Sequence, residues 1–195
     1  MAPTQQERSE VTRAKLVEAA RELFAQDGYA ATFLDGVVAR AGVTKGALYH
    51  QFDDKRDLFK AVYEEEQRRL AEQVTNAAAA RRDPWDAFAH GCRAFFEASL
   101  DPGVQRITLL DAPSVLGWEQ MRAIEARHSG ALLHAGIQNA IDAQRIAKRP
   151  VAPLAHMLLG AMCEAAMMVA RAENQRRATS EVLEELNGQL DALAL

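Results

Sequence analysis

With 195 residues, 49% hydrophobic and 26% charged, the chain holds enough apolar material for one large domain or a small domain joined to a medium one, which argues against disorder. Its formal net charge of −4 excludes a protein that coats nucleic acid through bulk basicity. Residues 1–60 are balanced in Lys/Arg and Asp/Glu, so the acidic excess lies in the rest, and any DNA contact must come from a small basic surface near the N-terminus.

No stretch approaches the roughly 18–20 uninterrupted apolar residues of a membrane helix. Met1 to Glu10 lacks the apolar core of a secretory signal. Cys92 and Cys163 form no CxxC pair and are too few for a disulfide framework. A reduced, cytoplasmic protein with no membrane partner is the expectation. Alanine is frequent and β-branched runs are few, which favours helix over sheet.

The first predicted helix carries Leu16, Ala19, Ala20, Leu23 and Phe24 at helical spacing and stops at Asp27-Gly28. Thr32-Phe33-Leu34-Asp35 reads as a capping signal for a second helix, with Leu34, Val37 and Val38 inward and an end after Arg40. Thr44 is the N-cap of a short third helix ending near Phe52. Asp54 opens a fourth, reaching about Ala80, long enough to bridge two domains. Asp83-Pro84 starts a fifth, whose stripe is Trp85, Phe88, Ala89, Cys92, Phe95, Phe96 and Ser99. A short helix through Ile107 and Leu110 follows, then one long helical stretch over about 114–145 in which Gly130 and Gly136 mark candidate bends. An apolar helix from Leu154 to about Glu173 and a last helix from Thr179 or Ser180 complete an all-α chain of about nine helices.

Residues 32–52, TFLDGVVARAGVTKGALYHQF, have helix-turn-helix grammar: a helix, a tight turn containing Gly42, and a threonine-capped second helix. The first helix and turn fix the angle of the second, whose N-terminal side chains can then reach base edges. An ordinary core helix pair is the rival reading of this pattern alone.

The run FAQDGYAAT followed by VARAGVTKGALYHQFDDKRDLF resembles the DNA-binding region of the TetR family of bacterial transcriptional regulators. Leu23, Phe24, Gly28, Tyr29 and Thr32 match its first-helix signature, Ala41 to Phe52 its recognition segment, and Phe52 with Lys55 the Phe-x-x-Lys that follows. The similarity covers roughly residues 9–69. It departs at Phe33, where a small or hydroxylated residue is commoner, and at Gly36 inside the second helix. The resemblance implies a helix-turn-helix domain over 1–55 and a ligand-binding and dimerisation domain over 56–195. It also implies roles: Thr44, Lys45, Gly46 and Ala47 nearest the base edges, with Tyr49, His50 and Lys55 on phosphates. For Lys45, Lys55 and His50, a solvated surface role is the competing reading.

Phe88, Cys92, Phe95, Phe96, Leu110, Trp118, Met121, His128 and Met162 are candidate lining for a ligand cavity, against the plain alternative that they fill a core. The apolar helix carries Leu154, Met157, Leu158, Ala161, Ala165 and Met168, and the last helix Leu183, Leu186 and Leu190. A helix apolar nearly all round is buried from two sides, so these residues are candidates for a homodimer interface. No histidine pattern has metal-ligand spacing, and neither a metal nor a cofactor is expected.

The expected function is a ligand-responsive regulator, most simply a repressor, that binds a palindromic double-stranded operator as a dimer. A small, largely apolar effector releases it. Rivals are an activator or an effector-independent regulator with a filled body, and a helical small-molecule-binding protein or enzyme that only mimics the motif.

Overall fold

The structure, a computed structural model, describes residues 4–195, in which helices joined by short loops are the regular structure, with an isolated antiparallel bridge between Ile146 and Ala194. The helices are α1 (Gln5–Ala31), α2 (Leu34–Ala41), α3 (Lys45–Gln51), α4 (Lys55–Ala79), α5 (Pro84–Ala98), α6 (Pro102–Val104), α7 (Ala112–Leu116), α8 (Trp118–Arg127), α9 (Ser129–Asp142), α10 (Val151–Ala170) and α11 (Gln175–Asp191). A π-helical turn, Gln105–Asp111, runs unbroken from α6 into α7.

The chain forms two compact units. The first runs to Glu66 and includes Arg106–Met121; the second comprises Gln67–Gln105 and Arg122–Leu195. The sequence boundary after residue 55 therefore differs from the packing in two ways. The first turns of α4 belong to the N-terminal unit, and so does the helical segment 106–121. Residues 1–3 of the expected first domain lie outside the described residues.

In the first unit, α1 packs against α2 and α3. Its core is Leu16, Phe24, Val37, Leu48, Phe59 and Tyr63, all fully buried. A capping box at Thr4 and Glu7 starts α1: Glu7 N donates to Thr4 Oγ1 at 3.2 Å, and Thr4 N donates back to the Glu7 carboxylate at 2.6 Å. The expected stop at Gly28 is instead a kink, with Gly28 at φ +79° and helical chain resuming beyond it. Thr32 does not cap α2. Its buried hydroxyl donates to Gly28 O at 2.8 Å, and Phe33 takes the N-cap position with no side-chain acceptor to offer. Segment 106–121 is tied on by Asp111, which accepts from Tyr29 N at 2.8 Å. Arg56 adds bonds to Val115 O, Leu116 O and Gln120 Oε1 at 3.0–3.2 Å.

In the second unit, α5 packs on α9, and α10 packs on α9 and α11. Asp83 caps α5 as expected, accepting from Trp85 N at 3.1 Å and Asp86 N at 3.0 Å. The stretch 114–145 is not one rod. Gly117 at φ +79° ends α7, and His128, at φ −118° and ψ −101°, separates α8 from α9. Gly130 and Gly136 lie inside α9. α11 begins four or five residues earlier than expected, because Asn174 caps it by accepting from Arg177 N at 3.0 Å. α10 is long and apolar enough, by length and composition, to cross a membrane, contrary to the sequence reading. It carries Glu164, and it buries Ala155, Leu158, Leu159, Met162, Ala166 and Val169 within its own unit.

Candidate DNA-contact surface and ligand cavity

The helix-turn-helix is built from local rules. Gly42 sits at φ +65°, ψ +36°, a left-handed conformation that a side chain disfavours, and this turns the chain between α2 and α3. Thr44 caps α3 by accepting from Ala47 N at 3.2 Å. Leu48 and Val37, both fully buried, hold the two helices to α1. That burial fixes which face of α3 is left outside. Thr44, Lys45, Gly46, Tyr49 and His50 are exposed and Ala47 is half-buried. A single short helix and its N-cap residue thus present six of the seven residues nominated for DNA contact.

Lys45 is not a lone cation. Its ammonium lies 2.7 Å from Asp35 Oδ1 and 2.9 Å from Oδ2, across the turn on α2. This hydrogen bond and the Asp35 charge hold the Lys45 pKa above the usual lysine value. Both side chains are well exposed, so the pair is weak and Asp35 can be exchanged for a stronger partner. Sequence reasoning used Asp35 only as a capping acid. Ten residues and a turn separate the pair, so no helical spacing signals it.

Lys55, the seventh nominated residue, is engaged inside the unit. Its ammonium stands 4.3 Å from the Tyr29 ring centroid and donates to Ala30 O at 3.4 Å. Burial pushes its pKa down. The same residue that the signature places next to DNA therefore also fastens the start of α4 to the end of α1. Asp54 caps α4, its Oδ1 accepting from Asp57 N at 2.7 Å; Asp53, also expected to cap, instead donates its backbone N–H to the Asp57 carboxylate at 3.4 Å.

A second feature lies wholly within the second unit. α4, α5 and α9 border a half-open cavity of about 670 Å³, the size of a small-molecule site. Of the nine residues nominated for ligand contact, Phe88, Cys92, Phe95 and Met162 line it. Phe96 is fully buried but faces a smaller space between α10 and α11. His128 borders a separate shallow pocket. Leu110 and Trp118 are 48% and 61% exposed, and Met121 is buried, all three in the segment that packs with the first unit. The apolar periodicity through Trp118 and Met121 suggested lining, but the break at Gly117 and the membership of 106–121 in the other unit remove them. Missed by the sequence were Thr75, Ser129, Gly136, Asn139 and Asp142, small or polar residues that stand out from no apolar stripe. Burial pushes the Cys92 thiol up to about 12, so it lines the cavity as an apolar group and not as a nucleophile.

The nominated dimer residues divide by face. On α10, Met157 and Met168 are 72% and 51% exposed and Ala161 is exposed, while Leu154 and Ala165 are half-buried. Leu158 is buried in the unit's own core, and so are Leu186 and Leu190 of α11; Leu183 is half-buried. The buried three are corrected to core residues: they occupy the helix faces that the subunit covers itself. Among the described residues no cluster of three or more His, Cys, Asp or Glu side chains has metal-binding placement.

Two family models match the chain: bacterial regulatory proteins of the tetR family over residues 16–62, and the tetracyclin repressor-like C-terminal domain over 85–193. The Transposon Tn10 TetC protein of Escherichia coli is 26% identical over 73% of this chain and 72% of its own length. The transcriptional regulator TtgR of Pseudomonas putida is 30% identical over 69% of this chain and 66% of its own. A TetR-family regulator from Pectobacterium atrosepticum superposes with a TM-score of 0.82 at 33% identity, covering 99% of this chain and 98% of that one. The regulator RolR, solved with resorcinol, shares the fold at 19% identity and a TM-score of 0.73, covering 97% of this chain and 90% of that one.

Proposed function

The chain belongs to the TetR family of DNA-binding transcriptional regulators, and from that premise we propose that it is a repressor bound to a palindromic operator as a homodimer and released by a small effector. The observation that carries this reading is the pairing of two features on one chain. One is an exposed N-terminal face of α3 held by a buried Leu48; the other is an apolar cavity bordered by the second half of α4. An effector-independent regulator with a filled body would leave no such space, and the cavity favours the ligand-responsive form. RolR, with the same fold, holds a small aromatic molecule, which supports the same use of the body here.

The partner surface is proposed on the outer face of α10, where Met157, Ala161 and Met168 are exposed, with Leu154, Ala165 and Leu183 at its margin. Two α3 helices related by a two-fold axis would then enter major grooves about 34 Å apart. Release requires that the effector bind one conformation better than the other, since equal affinity for both shifts nothing. A soluble regulator of this kind works in the cytoplasm.

Titration of a selected operator tests the assignment residue by residue. Lys45→Ala is expected to lose about 1–3 kcal/mol, roughly 5- to 150-fold, at one base position. Asp35→Asn is expected to act in the other direction, raising affinity for all duplexes by up to about fivefold, because it frees Lys45 and removes a negative charge from the DNA side. Unchanged affinity for Lys45→Ala, at two salt concentrations, would remove α3 from the interface.

A further inference from the structure

We propose that the cavity between α4, α5 and α9 takes an uncharged, largely apolar molecule bearing a carbonyl or hydroxyl oxygen, and that the Asn139 side-chain amide reads that oxygen. This rests on the reading of the cavity as the effector site.

The lining contains no lysine, arginine or histidine. A carboxylate seated against the apolar floor of Val74, Phe88, Phe95, Leu133 and Met162 would find no compensating cation there, and an unpaired charge taken out of water is disfavoured. Asp142, the one lining carboxylate, stands exposed and accepts from Gln138 Nε2 at 2.8 Å. Because that carboxylate is exposed, solvated and screened, it neither repels an acid nor attracts a cation strongly. Arg145, near this end of α9, is held by Asp83 at 3.0 Å, and neither residue belongs to the lining.

The polar groups that remain are mostly committed as donors. The Thr75 hydroxyl donates to Ala71 O at 2.7 Å and the Ser129 hydroxyl to Gln67 Oε1 at 3.0 Å. Cys92 is a buried neutral thiol. Among the described residues the Asn139 amide makes no hydrogen bond, and it supplies two N–H donors and one carbonyl acceptor to the lining. The Asn139 amide N–H is the side-chain N–H donor of the lining with no protein acceptor among the described residues, and an oxygen on the ligand is the group it would pair with; one polar contact beside an apolar wall is what fixes orientation in such sites.

The test compares four probes on one frame against the full chain by calorimetry: naphthalene, 2-acetylnaphthalene, 2-naphthoate and 2-naphthylmethylammonium. The ketone is expected to bind at least tenfold more tightly than the naphthoate or the ammonium, and several-fold more tightly than naphthalene. In Asn139→Leu the ketone's advantage over naphthalene should disappear, the ratio of the two affinities falling to about one. That side chain is exposed, so helix content by circular dichroism should be unchanged. Naphthoate or the ammonium binding as tightly as the ketone, or a ketone advantage that survives Asn139→Leu, overturns the inference and leaves the cavity as an effector site. Failure of both naphthalene and the ketone to bind overturns the effector-site reading together with it.

Discussion

Phe24→Ala is expected to destabilise the first unit by about 3–5 kcal/mol, the usual cost of truncating a fully buried phenylalanine. Phe24 has no exposed surface. Its ring lies 5.8 Å from Tyr29, nearly parallel, and 5.1 Å from Phe59, edge-on, while Tyr29 and Phe59 meet edge-on at 5.2 Å. Three aromatics from α1, its kinked end and α4 thus form one cluster beneath the helix-turn-helix, and removing the central ring leaves the other two facing a void. A unit of roughly eighty residues has about 4–12 kcal/mol in total, so the variant loses roughly a quarter of it or more. Amide hydrogen exchange resolved by residue is the suitable measurement, because a chain of two units need not unfold in one step. Protection should fall in α1, α3 and the start of α4. Phe33→Ala is the control: at 75% exposure it should change stability by less than about 0.5 kcal/mol. A Phe24→Ala loss below about 1.5 kcal/mol would show that the cluster does not organise the unit.

Arg21→Ala should cost a similar amount for a different reason. The Glu66 side chain is 2% exposed and its carboxylate is held by Arg21 Nε, while Arg21 Nη1 reaches Glu18 at 3.3 Å. Removing the guanidinium strands a buried charge, which costs about 3–5 kcal/mol, far more than the pair itself contributes over an apolar replacement. The double change Arg21→Met with Glu66→Leu is therefore expected to recover most of the loss. Urea unfolding of the two variants and the parent checks this. A double variant as unstable as Arg21→Ala would mean that the ion pair, and not the avoidance of an unpaired carboxylate, is what the site provides.

Much of the DNA-binding unit was legible because its rules are local. Gly42, Thr44, Asp54 and the Asp83-Pro84 pair each act within four residues of themselves, and each cap or turn forms where the sequence places it. The buried stripe of α5 was legible from its 3.6-residue period. What was not legible depends on long-range packing. Thr32 serves the end of α1 and not the start of α2, a choice set by burial beside the Gly28 kink. Apolar residues continue at helical spacing through 114–145, so periodicity passes over the breaks at Gly117 and His128. Trp118 and Met121 look like cavity lining by residue type, yet their segment packs with the first unit. In α10 and α11 the apolar character is spread around the helix, and only the fold tells Leu158, Leu186 and Leu190, facing inward, from Met157 and Met168, facing out. The Asp35–Lys45 pair needs the angle between two helices, which no spacing encodes.

Selection of bound sequences from random duplex DNA, followed by titration of the best one with the complex mass measured in solution, tests the central claim most directly. Enrichment of a two-fold-symmetric site bound by two chains is expected, with half-sites about one helical turn apart and affinity at least about a thousandfold above random duplex. Enrichment of no sequence by a folded dimer, with and without a cavity ligand and at low as well as physiological salt, would contradict it.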